Sequence, residues 1–421
     1  MKINKERLWL RLQKIGGIGA DPKGGVSRFA WTPEYKEACE LLMKWIEESG
    51  LSARMDGVGN VFARLEGKNP DAPAILTGSH FDTVPCGGRF DGLAGVMSGL
   101  EVLTTLRENG YVPERPMEMV AFINEEASQF LGGTFGSKAM CGVLPQDYPI
   151  TCTHRYTGQP LREAMLEFGM GLDPDHLENS RIRPGQYAAF VELHIEQGKF
   201  LLDHNYPLAI VTAIAGIKQF YITLKGTAAH SGGMAMKDRH DTLAAAAAIA
   251  CEVEHLALTL GGKDTRGTVG YIASHPGEHN IIADESVIPV DYREENDEIW
   301  AEYYERLMAF VEKQCEMRGL EYSVKHTIDL KPSHSNETIL RIMREQADNL
   351  EISHTEMVSY PCHDAVNMER IMPMGMIFLR SSNGGLSHCP QEYTTPEDME
   401  AGTNLLLQTL VGMAKDENLG K

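Results

Sequence analysis

Apolar and polar positions in the first half of the chain predict alternating strands and helices. An apolar run at residues 74–77 predicts a buried strand, and apolar residues at helical spacing predict a helix that begins after Asp91. Further strands are predicted at 53–55, 61–65, 117–123, 189–194 and 208–214. The alternation of strands and helices resumes near the end of the chain, with a helix at 337–348, a strand at 375–379 and a helix at 396–413. This order predicts an α/β class, with a mixed, largely parallel sheet flanked by helices.

The pattern changes beyond Gly216. Polar and apolar residues alternate as in half-exposed strands, and two long helices are interspersed. The strands are predicted at 217–224, 271–273 and 287–292, and the helices at 239–258 and 297–318. This β-α-β-β-α order predicts a smaller α+β domain inserted into the larger one. We therefore expect a larger domain at 1–214 and 330–421 and an inserted domain at 215–329.

Composition narrows the class of protein. The chain has 421 residues, 43% of them hydrophobic, which is enough for two or three cores. Its formal net charge of −20 argues against nucleic acid or an anionic membrane as a partner, because both require a positive face. No apolar run approaches membrane-spanning length, and residues 1–14 read as a charged amphipathic helix rather than a signal sequence. The eight cysteines lie far apart without a CxxC pair, so we expect reduced thiols in the cytoplasm.

The stretch Gly78–Gly95, GSHFDTVPCGGRFDGLAG, concentrates titratable groups between the predicted strand and helix. His80 and Asp82 are two apart in an extended segment, so the Asp82 carboxylate can hold the far nitrogen of the imidazole and orient it as a metal ligand. Asp91 lies at the helix start, where a carboxylate caps the helix or bridges two cations. Taken alone, a helix cap and a hydrogen-bonded core histidine explain these residues equally well.

Two further segments place acids and histidines at strand ends. Glu125 and Glu126 follow an apolar strand, where one carboxylate can bind metal while the other faces the substrate water, although most such pairs are exposed loops. His194 stands between two acids in ELHIEQG, and His388 follows a glycine pair closely. The carboxyl ends of strands in an open α/β sheet gather on one edge. The residues that can converge there are His80, Asp91, Glu126, His194 and His388.

The order of these motifs is similar to that of one enzyme family. The blocks GSHFDTVP, GGRFDG, NEEASQF, ELHIEQG, AAHSGG and GLSH resemble the dinuclear metal amidohydrolases, which include N-carbamoyl-L-amino acid hydrolases, allantoate amidohydrolases, ureidoglycolate amidohydrolases and β-ureidopropionases. They belong to the aminoacylase and zinc-carboxypeptidase-like clan. The resemblance covers essentially the whole chain, and ELHIEQG separates this branch from clan peptidases, which usually carry a carboxylate where His194 stands. It implies that the larger domain is catalytic and the inserted one a lid or dimerisation domain.

The resemblance implies a site for two divalent metal ions per subunit. Asp91 would bridge the two ions. His80 and His194 would complete one ion's ligands, and Glu126 and His388 those of the other. Imidazole at three positions favours zinc, manganese, cobalt or nickel over calcium or magnesium.

The resemblance also assigns catalytic and substrate-binding roles. Glu125 would be the general base, accepting a proton from water and passing it to the departing nitrogen, and His230 would stabilise the oxyanion. The substrate-binding positions matched by the family are Gln197, Asn280, Arg293 and Gly385. A guanidinium with an amide can clamp a substrate carboxylate at two points. In the family the inserted domain forms the dimer and commonly presents the matching histidine to the neighbouring subunit, which implies a homodimer here.

One segment departs from the family pattern. Many relatives have a small, glycine-containing run before a His-Asp pair, whereas Ser359-Tyr360-Pro361-Cys362 precedes the pair here, and its bulk can narrow the pocket. A nucleophilic role for Cys362 or Cys389 is the less favoured alternative, since a packed thiol explains each of them.

We expect hydrolysis of a carbamoyl or ureido C–N bond in a small carboxylate substrate, an N-carbamoyl-L-amino acid or allantoate, with release of ammonia and carbon dioxide. An aminoacylase or dipeptidase of the same clan is the alternative enzyme. A metal-binding scaffold without activity is the alternative outside enzymes, and the retention of Glu125 beside Glu126 argues against it.

Overall fold

The computed structural model describes residues 1–260, 265–416 and 419. The chain divides into two compact units, Met1–Thr212 with His334–Lys421, and Ala213–Ser333. We call them the larger unit and the inserted unit. The catalytic role of the first and the lid or dimerisation role of the second stay predictions.

Sixteen strands are described. In chain order they are β1 (Ser52–Met55), β2 (Val61–Leu65), β3 (Ala74–His80), β4 (Met117–Phe122), β5 (Tyr187–Ile195), β6 (Leu208–Ile214), β7 (Gly216–Lys225), β8 (Ala229–His230), β9 (Arg266–Val269), β10 (Ala273–His275), β11 (Ile281–Ile282), β12 (Glu285–Glu294), β13 (Glu321–Leu330), β14 (Ser333–His334), β15 (His354–Ser359) and β16 (Met374–Leu379).

Twelve α-helices accompany them in the described residues, with short 3₁₀ turns at Leu177–Ser180 and Met236–Asp238. The helices are α1 (Lys5–Ile15), α2 (Pro33–Glu48), α3 (Leu93–Glu108), α4 (Phe135–Cys141), α5 (Tyr148–Thr151), α6 (Leu161–Phe168), α7 (Phe200–Asp203), α8 (Thr242–Thr259), α9 (Asp297–Arg318), α10 (Glu337–Asn349), α11 (Ala365–Met368) and α12 (Pro396–Lys415).

The larger unit is built on a nine-stranded sheet in the order β1-β2-β4-β3-β5-β16-β6-β14, with β15 also paired to β6. Strand β3 pairs in parallel with β4 and β5, and β5 pairs in parallel with β16. The pairs β1–β2, β2–β4 and β6–β16 are antiparallel. Every residue of β3, β4 and β5 is buried, because helices cover the parallel centre of the sheet. The predicted α/β class with a mixed, largely parallel sheet is confirmed.

The direction of the central strands determines where functional side chains meet. Strand β3 ends at His80, β4 ends shortly before Glu125, and β5 carries His194 next to its last residue. Because these strands are parallel neighbours, their carboxyl ends lie at one edge of the sheet. Helix α3 follows the β3 loop and packs back on β3, β4 and α12, so the loop that contains Asp91 is held at that edge.

The inserted unit is a two-layer α+β structure. Its sheet has the order β10-β12-β7-β13, with β9 also paired to β12, and β8 pairs separately with β11. Strand β12 alternates between buried and partly exposed residues along its length. Its buried face packs on α8 and α9, as in the cluster of Ile288, Ile249 and Leu307. One face of this sheet is therefore apolar, as the alternating sequence pattern predicted.

Six described strands were missed by the sequence pattern, and three of them, β8, β11 and β14, have only two residues each. Strand β13 is almost entirely exposed or partly exposed, so it has no apolar face that a periodicity could reveal. Strands β9 and β15 were also missed, because they are short and largely polar and show no apolar alternation. The strand predicted at 271–273 is also shifted, since β10 covers residues 273–275.

Helix α8 corrects one expectation. It is the one helix in the described residues that is long and apolar enough to cross a membrane, with 18 residues and a mean hydropathy of 1.3. The statement that no apolar run approaches that length is therefore wrong, because a run of alanines raises the hydropathy of this segment. Ala245, Ile249 and Val253 pack in the core of the inserted unit. A core helix passes the same test, so α8 is weak evidence for a membrane span.

Candidate metal centre and active site

Two buried histidines face each other across the edge of the sheet. Nδ1 of His80 lies 3.1 Å from the backbone oxygen of Asp82, and Nδ1 of His194 lies 2.9 Å from that of Ile195. A carbonyl oxygen only accepts, so each Nδ1 donates and Nε2 of each neutral ring keeps a lone pair. The two Nε2 atoms are 3.4 Å apart, and the Gly92 N–H donates to Nε2 of His194 over 3.3 Å. Two lone pairs at this distance repel each other unless a proton or a cation lies between them.

The carboxylate of Asp91 lies beside both rings. Its Oδ1 is 3.0 Å from Nε2 of His194 and 3.5 Å from Nε2 of His80, and its Oδ2 is 3.0 Å from Nε2 of His388. Helix α3 has no side-chain cap hydrogen bond within the described part of the chain, so Asp91 does not cap it. The carboxylate instead turns one oxygen toward each side of the histidine cluster, which is the geometry of a bridging group.

Glu126 completes the second side. Its Oε1 lies 3.3 Å from Nε2 of His388. Potential ligand atoms lie within 4.8 Å of one another in three overlapping groups, which are His80 with Asp91 and His194, Asp91 with Glu126 and His388, and His80 with Glu125 and Glu126. The five residues expected to converge from separate segments therefore do meet. Their roles as ligands stay a prediction.

Asp82 has a different role from the one expected. Its carboxylate Oδ1 is 3.9 Å from Nδ1 of His80, while its backbone oxygen makes the closer contact at 3.1 Å. The carboxylate accepts the backbone N–H groups of Glu125 at 3.0 Å and of Glu126 at 3.1 Å. The expectation that this carboxylate orients the imidazole is thus wrong. The tight turn after β4, where Asn124 has a φ of 54°, directs both amides toward it.

The titration of these groups reflects their mutual attraction. Burial opposes protonation of His80 and His194, but the hydrogen bonds to Asp91 and the nearby carboxylates outweigh it and raise the pKa of both rings. Hydrogen bonds to Asp91 and Glu126 raise the pKa of His388 to about 11. Burial, with the adjacent negative charge of Glu126, raises the pKa of Glu125 well above its usual range. The cluster consequently binds positive charge strongly, as protons or as cations.

The side chains fit a pair of divalent cations. While Nε2 of His80 and of His194 carries no proton, the buried Oδ1 of Asp91 beside them has no hydrogen-bond partner among the described residues. An unpaired buried carboxylate oxygen is costly unless a cation satisfies it. Imidazole and carboxylate donors together suit first-row transition metals and zinc.

Glu192 and His363 are two further buried polar residues near the cluster, and sequence reasoning gave them no role. Glu192 accepts hydrogen bonds from the Ser79 hydroxyl at 2.6 Å and from the Ala365 N–H at 3.0 Å. The ring of His363 packs edge-on against His194, with centroids 4.5 Å apart. Glu192 belongs to ELHIEQG and His363 to the His-Asp pair, so both segments could be recognised in the sequence. Their contacts could not, because Glu192 bonds to Ala365 and His363 packs on His194, and these residues are distant in the chain.

The pocket wall residues expected from the family lie beside the cluster. Nε2 of Gln197 donates to Oδ2 of Asp91 at 3.2 Å and to the Ser387 hydroxyl at 3.3 Å. Gly385 approaches the backbone of Gly198 so closely that an added Cβ would lie 2.4 Å from it. Gln197 and His388 both have left-handed φ values, 56° in each case, which require well-defined surroundings.

Three predicted site residues belong to the inserted unit. Nδ1 of His230 accepts the N–H groups of Gly232 at 3.1 Å and Gly233 at 3.2 Å. The backbone oxygen of Asn280 accepts the Ser231 N–H at 2.9 Å, so Asn280 lies close to His230 within this unit. Arg293 lies near the end of β12, and its Nε donates to Asp291 over 3.0 Å. Their roles in catalysis and substrate binding stay predictions.

The cysteine alternative finds no support from the protonation of Cys362. Burial raises the pKa of this thiol to about 12, so it stays protonated at neutral pH and is a poor nucleophile.

Comparisons with known proteins agree with this geometry. A family model described as peptidase family M20/M25/M40 matches residues 76–411. The chain is 38% identical over 415 residues to an N-carbamoyl-L-amino acid amidohydrolase of Geobacillus stearothermophilus, covering 99% of this chain and 100% of that protein. It is 34% identical to an allantoate amidohydrolase of Bacillus subtilis, covering 96% of each chain.

Solved structures extend the likeness to the fold. The crystal structure of a hydantoinase/carbamoylase family amidase from Burkholderia multivorans aligns with a TM-score of 0.88 and 33% identity over 99% of both chains. Sequence motifs, fold and full-length relatives thus lead to the same assignment. The chain belongs to the peptidase family M20/M25/M40 and is a hydrolase of its hydantoinase/carbamoylase amidohydrolase branch.

Proposed function

We propose that this enzyme hydrolyses the carbamoyl or ureido C–N bond of a small carboxylate substrate, an N-carbamoyl-L-amino acid or allantoate, releasing ammonia and carbon dioxide. The observation that carries the proposal is the Asp91 carboxylate, with one oxygen beside His80 and His194 and the other beside His388. The names of the full-length relatives support this class of bond.

We assign the ligands as the family motifs imply. Asp91 would bridge two cations, which His80 and His194 would hold on one side, and Glu126 and His388 on the other. Zinc, manganese, cobalt and nickel suit this donor set. Such cations would supply Lewis acidity, which makes water a stronger acid and a substrate carbonyl more electrophilic.

Glu125 moves the proton. Its carboxylate lies in the same cluster as His80 and Glu126, and its backbone is held by Asp82. Burial among other acids makes it basic, as a general base must be. It takes the proton of the attacking water and delivers it to the departing nitrogen. Glu126 is unsuited to this role because its oxygens face the cation site.

The inserted unit supplies the substrate contacts in this proposal. Nδ1 of His230 accepts two backbone N–H groups, so Nε2 carries the proton and is a donor for the oxyanion. Arg293 and Asn280 bind the substrate carboxylate, while Gln197 and Gly385 line the pocket. The active form is a cytoplasmic homodimer in which the inserted units associate.

The test is an activity panel on metal-depleted enzyme. Protein dialysed against chelator is restored with manganese or zinc and assayed for ammonia release from N-carbamoyl-L-amino acids and allantoate. N-acetyl amino acids and dipeptides are assayed alongside for amine release. Ammonia release that depends on the restored cation supports the proposal.

Two outcomes contradict it. Activity confined to the acyl substrates or dipeptides identifies an aminoacylase or dipeptidase of the same clan. Cation binding without turnover on any substrate identifies an inactive metal-binding scaffold.

A further inference from the structure

Glu392 is a buried carboxylate near the candidate metal centre to which the motifs assign no role. It lies four residues after His388 and is only 5% exposed. Its Oε1 accepts the backbone N–H groups of Phe90 at 2.8 Å and of Asp91 at 3.0 Å. Its Oε2 accepts the hydroxyl of Ser387 at 2.8 Å. One carboxylate therefore joins the loop that contains Asp91 to the loop that contains His388.

Further hydrogen bonds connect Glu392 to the side chain of Asp91 and form a closed ring. The Ser387 hydroxyl that donates to Glu392 also accepts from Nε2 of Gln197 at 3.3 Å. The same Gln197 amide donates to Oδ2 of Asp91 at 3.2 Å. The path thus runs from the backbone of Asp91 through Glu392, Ser387 and Gln197 back to its carboxylate. Such a ring restrains both the position and the rotation of that carboxylate.

The loop before Asp91 lies close against the Glu392 carboxylate. A Cβ added to Gly88 would lie 2.0 Å from Oε1 of Glu392, so the loop approaches the carboxylate as only glycine permits. The neighbouring rings of Phe90 and Tyr393 pack edge-to-face with centroids 5.7 Å apart, which joins the same two loops through an apolar contact.

His388 depends on this anchor more than the other histidines do. Its side chain is 48% exposed, whereas those of His80 and His194 are 4% and 1% exposed. The buried rings are oriented by their carbonyl partners and by packing. His388 stands in a loop with a φ of 56°, so its position follows from the segment on either side of it.

We propose that Glu392 is a positioning residue that sets the separation of Asp91 and His388 and so selectively maintains the cation site on the His388 side. This inference rests on the two-cation site of the proposed function. Glu392 touches backbone amides and a serine rather than the ligand atoms, so it acts through Asp91 and Ser387. Residues that orient ligands in this way alter metal affinity by roughly 10–100-fold when removed.

The experiment compares cation binding by Glu392→Ala, Glu392→Gln and the unmodified enzyme. Metal-depleted proteins are titrated with manganese by calorimetry, and bound manganese is counted after dialysis at fixed free concentrations. The unmodified enzyme is expected to bind two ions. Glu392→Ala weakens one site by roughly 10–100-fold and leaves the other within about threefold. Glu392→Gln keeps one oxygen for the two amides and places an NH₂ group toward Ser387, so its loss of cation affinity is expected to be smaller.

Glu101→Ala is the matched control. Glu101 is also buried and accepts a backbone N–H, that of Asn4 at 2.9 Å, but its other partners are Arg7 and Thr105 rather than site residues. Melting curves of the metal-free proteins measure the cost of removing each carboxylate. Glu101→Ala is expected to lose thermal stability and still bind both ions with unchanged affinities.

Three results overturn the inference alone. Equal affinity of Glu392→Ala and the unmodified enzyme at both sites removes the positioning role, as does a parallel loss at both sites. If Glu101→Ala also loses affinity at one site and keeps it at the other, the effect of Glu392→Ala is explained by general destabilisation. In each of these cases the unmodified enzyme still binds two ions, and the proposed function stands. Failure of the unmodified enzyme to bind any ion overturns the proposed function and this inference together.

Discussion

The carboxylate of Asp82 accepts the backbone N–H of Glu125 over 3.0 Å, with its Oδ1 and Oδ2 shared between this amide and the next one. The proposed general base and the adjacent proposed ligand are therefore held through their backbone by a residue at the end of a neighbouring strand. The same residue orients His80 through its carbonyl oxygen. Asp82 thus fixes the position of His80, which ends β3, relative to Glu125 and Glu126, which follow β4.

Replacement of Asp82 by alanine is expected to reduce both stability and activity. It leaves two partly buried amides unpaired, at a cost of at most about 1–3 kcal/mol for each. The carbonyl contact to His80 persists, so the effect on activity is expected through Glu125 and Glu126. Melting curves and turnover numbers measure the two losses. Asp82→Asn keeps one acceptor oxygen, so its stability and activity are expected to lie between those of the unmodified protein and Asp82→Ala. Full activity of Asp82→Ala would contradict this role.

Glu125→Gln is expected to retain both cations and to lower kcat by about 10²–10⁴-fold, since the amide cannot accept the proton. Glu126→Gln is the matched neighbour and is expected to weaken cation binding instead. Metal content and turnover, measured on both variants, separate the two roles. If Glu125→Gln empties the site, the division between base and ligand is wrong.

Cation binding is expected to release protons and to strengthen as the pH rises. The pKa of His388 lies at about 11 in the folded protein, against an ordinary value of 6.5, because of its hydrogen bonds to Asp91 and Glu126. At neutral pH the metal-free cluster thus holds protons that a cation displaces. Calorimetry with manganese in buffers of different ionisation enthalpy counts them. Binding without proton release would contradict the expectation.

The same shift has a consequence for the metal-free protein. Between about pH 6.5 and pH 11 the folded state keeps a proton that the unfolded chain has lost, so this contribution to stability is complete below that window and disappears across it. Melting temperatures of metal-free protein are therefore expected to fall from about pH 7 to about pH 9. His388→Asn is expected to show a smaller decrease.

Gly92→Ala is expected to abolish tight cation binding. The added Cβ would lie 2.4 Å from Nδ1 of His80, and the residue has a φ of 63°. Gly110 has the same φ, but no described atom lies within 4 Å of its Cβ position. Gly110→Ala therefore carries only the backbone penalty, roughly 1–2 kcal/mol. Manganese titrations of the two variants separate the steric effect from backbone strain, and equal affinities would show that His80 tolerates the methyl group.

Arg293→Lys is expected to raise KM by about tenfold while kcat changes little, because an ammonium cannot reproduce the two-point contact of a guanidinium. Arg306→Lys, at an exposed helix ion pair, is the control and is expected to be silent. Steady-state kinetics on the best substrate of the panel test the pair. An unchanged KM for Arg293→Lys would remove Arg293 from the pocket.

Much of the fold was predictable because its central elements bury an apolar face. The strand at 61–65 and the helix at 297–318 coincide with β2 and α9, since β2 is a short, mostly buried apolar segment and α9 is bounded by Asn296 and Gly319. Strand β13 was missed because it is exposed on nearly every residue. The extent of β3 was underestimated for another reason, since its last residues are Gly78, Ser79 and His80, which the apolar pattern does not include.

The candidate site divides in a similar way. The ligand residues could be proposed from motifs, because imidazole and carboxylate groups in a known order limit the chemistry available. Glu392 could not, because a lone glutamate in a loop has no pattern that distinguishes it from a solvated one. Its role depends on Phe90 and Asp91, which lie 302 and 301 residues away in the chain.

The sequence by itself determined the kinds of chemical group at the site and the alternation of strands and helices that brings them to one edge. Both follow from side-chain identity and periodicity, which are local properties. The tertiary structure alone decided that Asp82 holds the Glu125 backbone rather than the imidazole, and that Glu392 joins the loops of Asp91 and His388. A hydrogen bond depends on distance and direction between groups remote in the chain, and only the folded packing sets these.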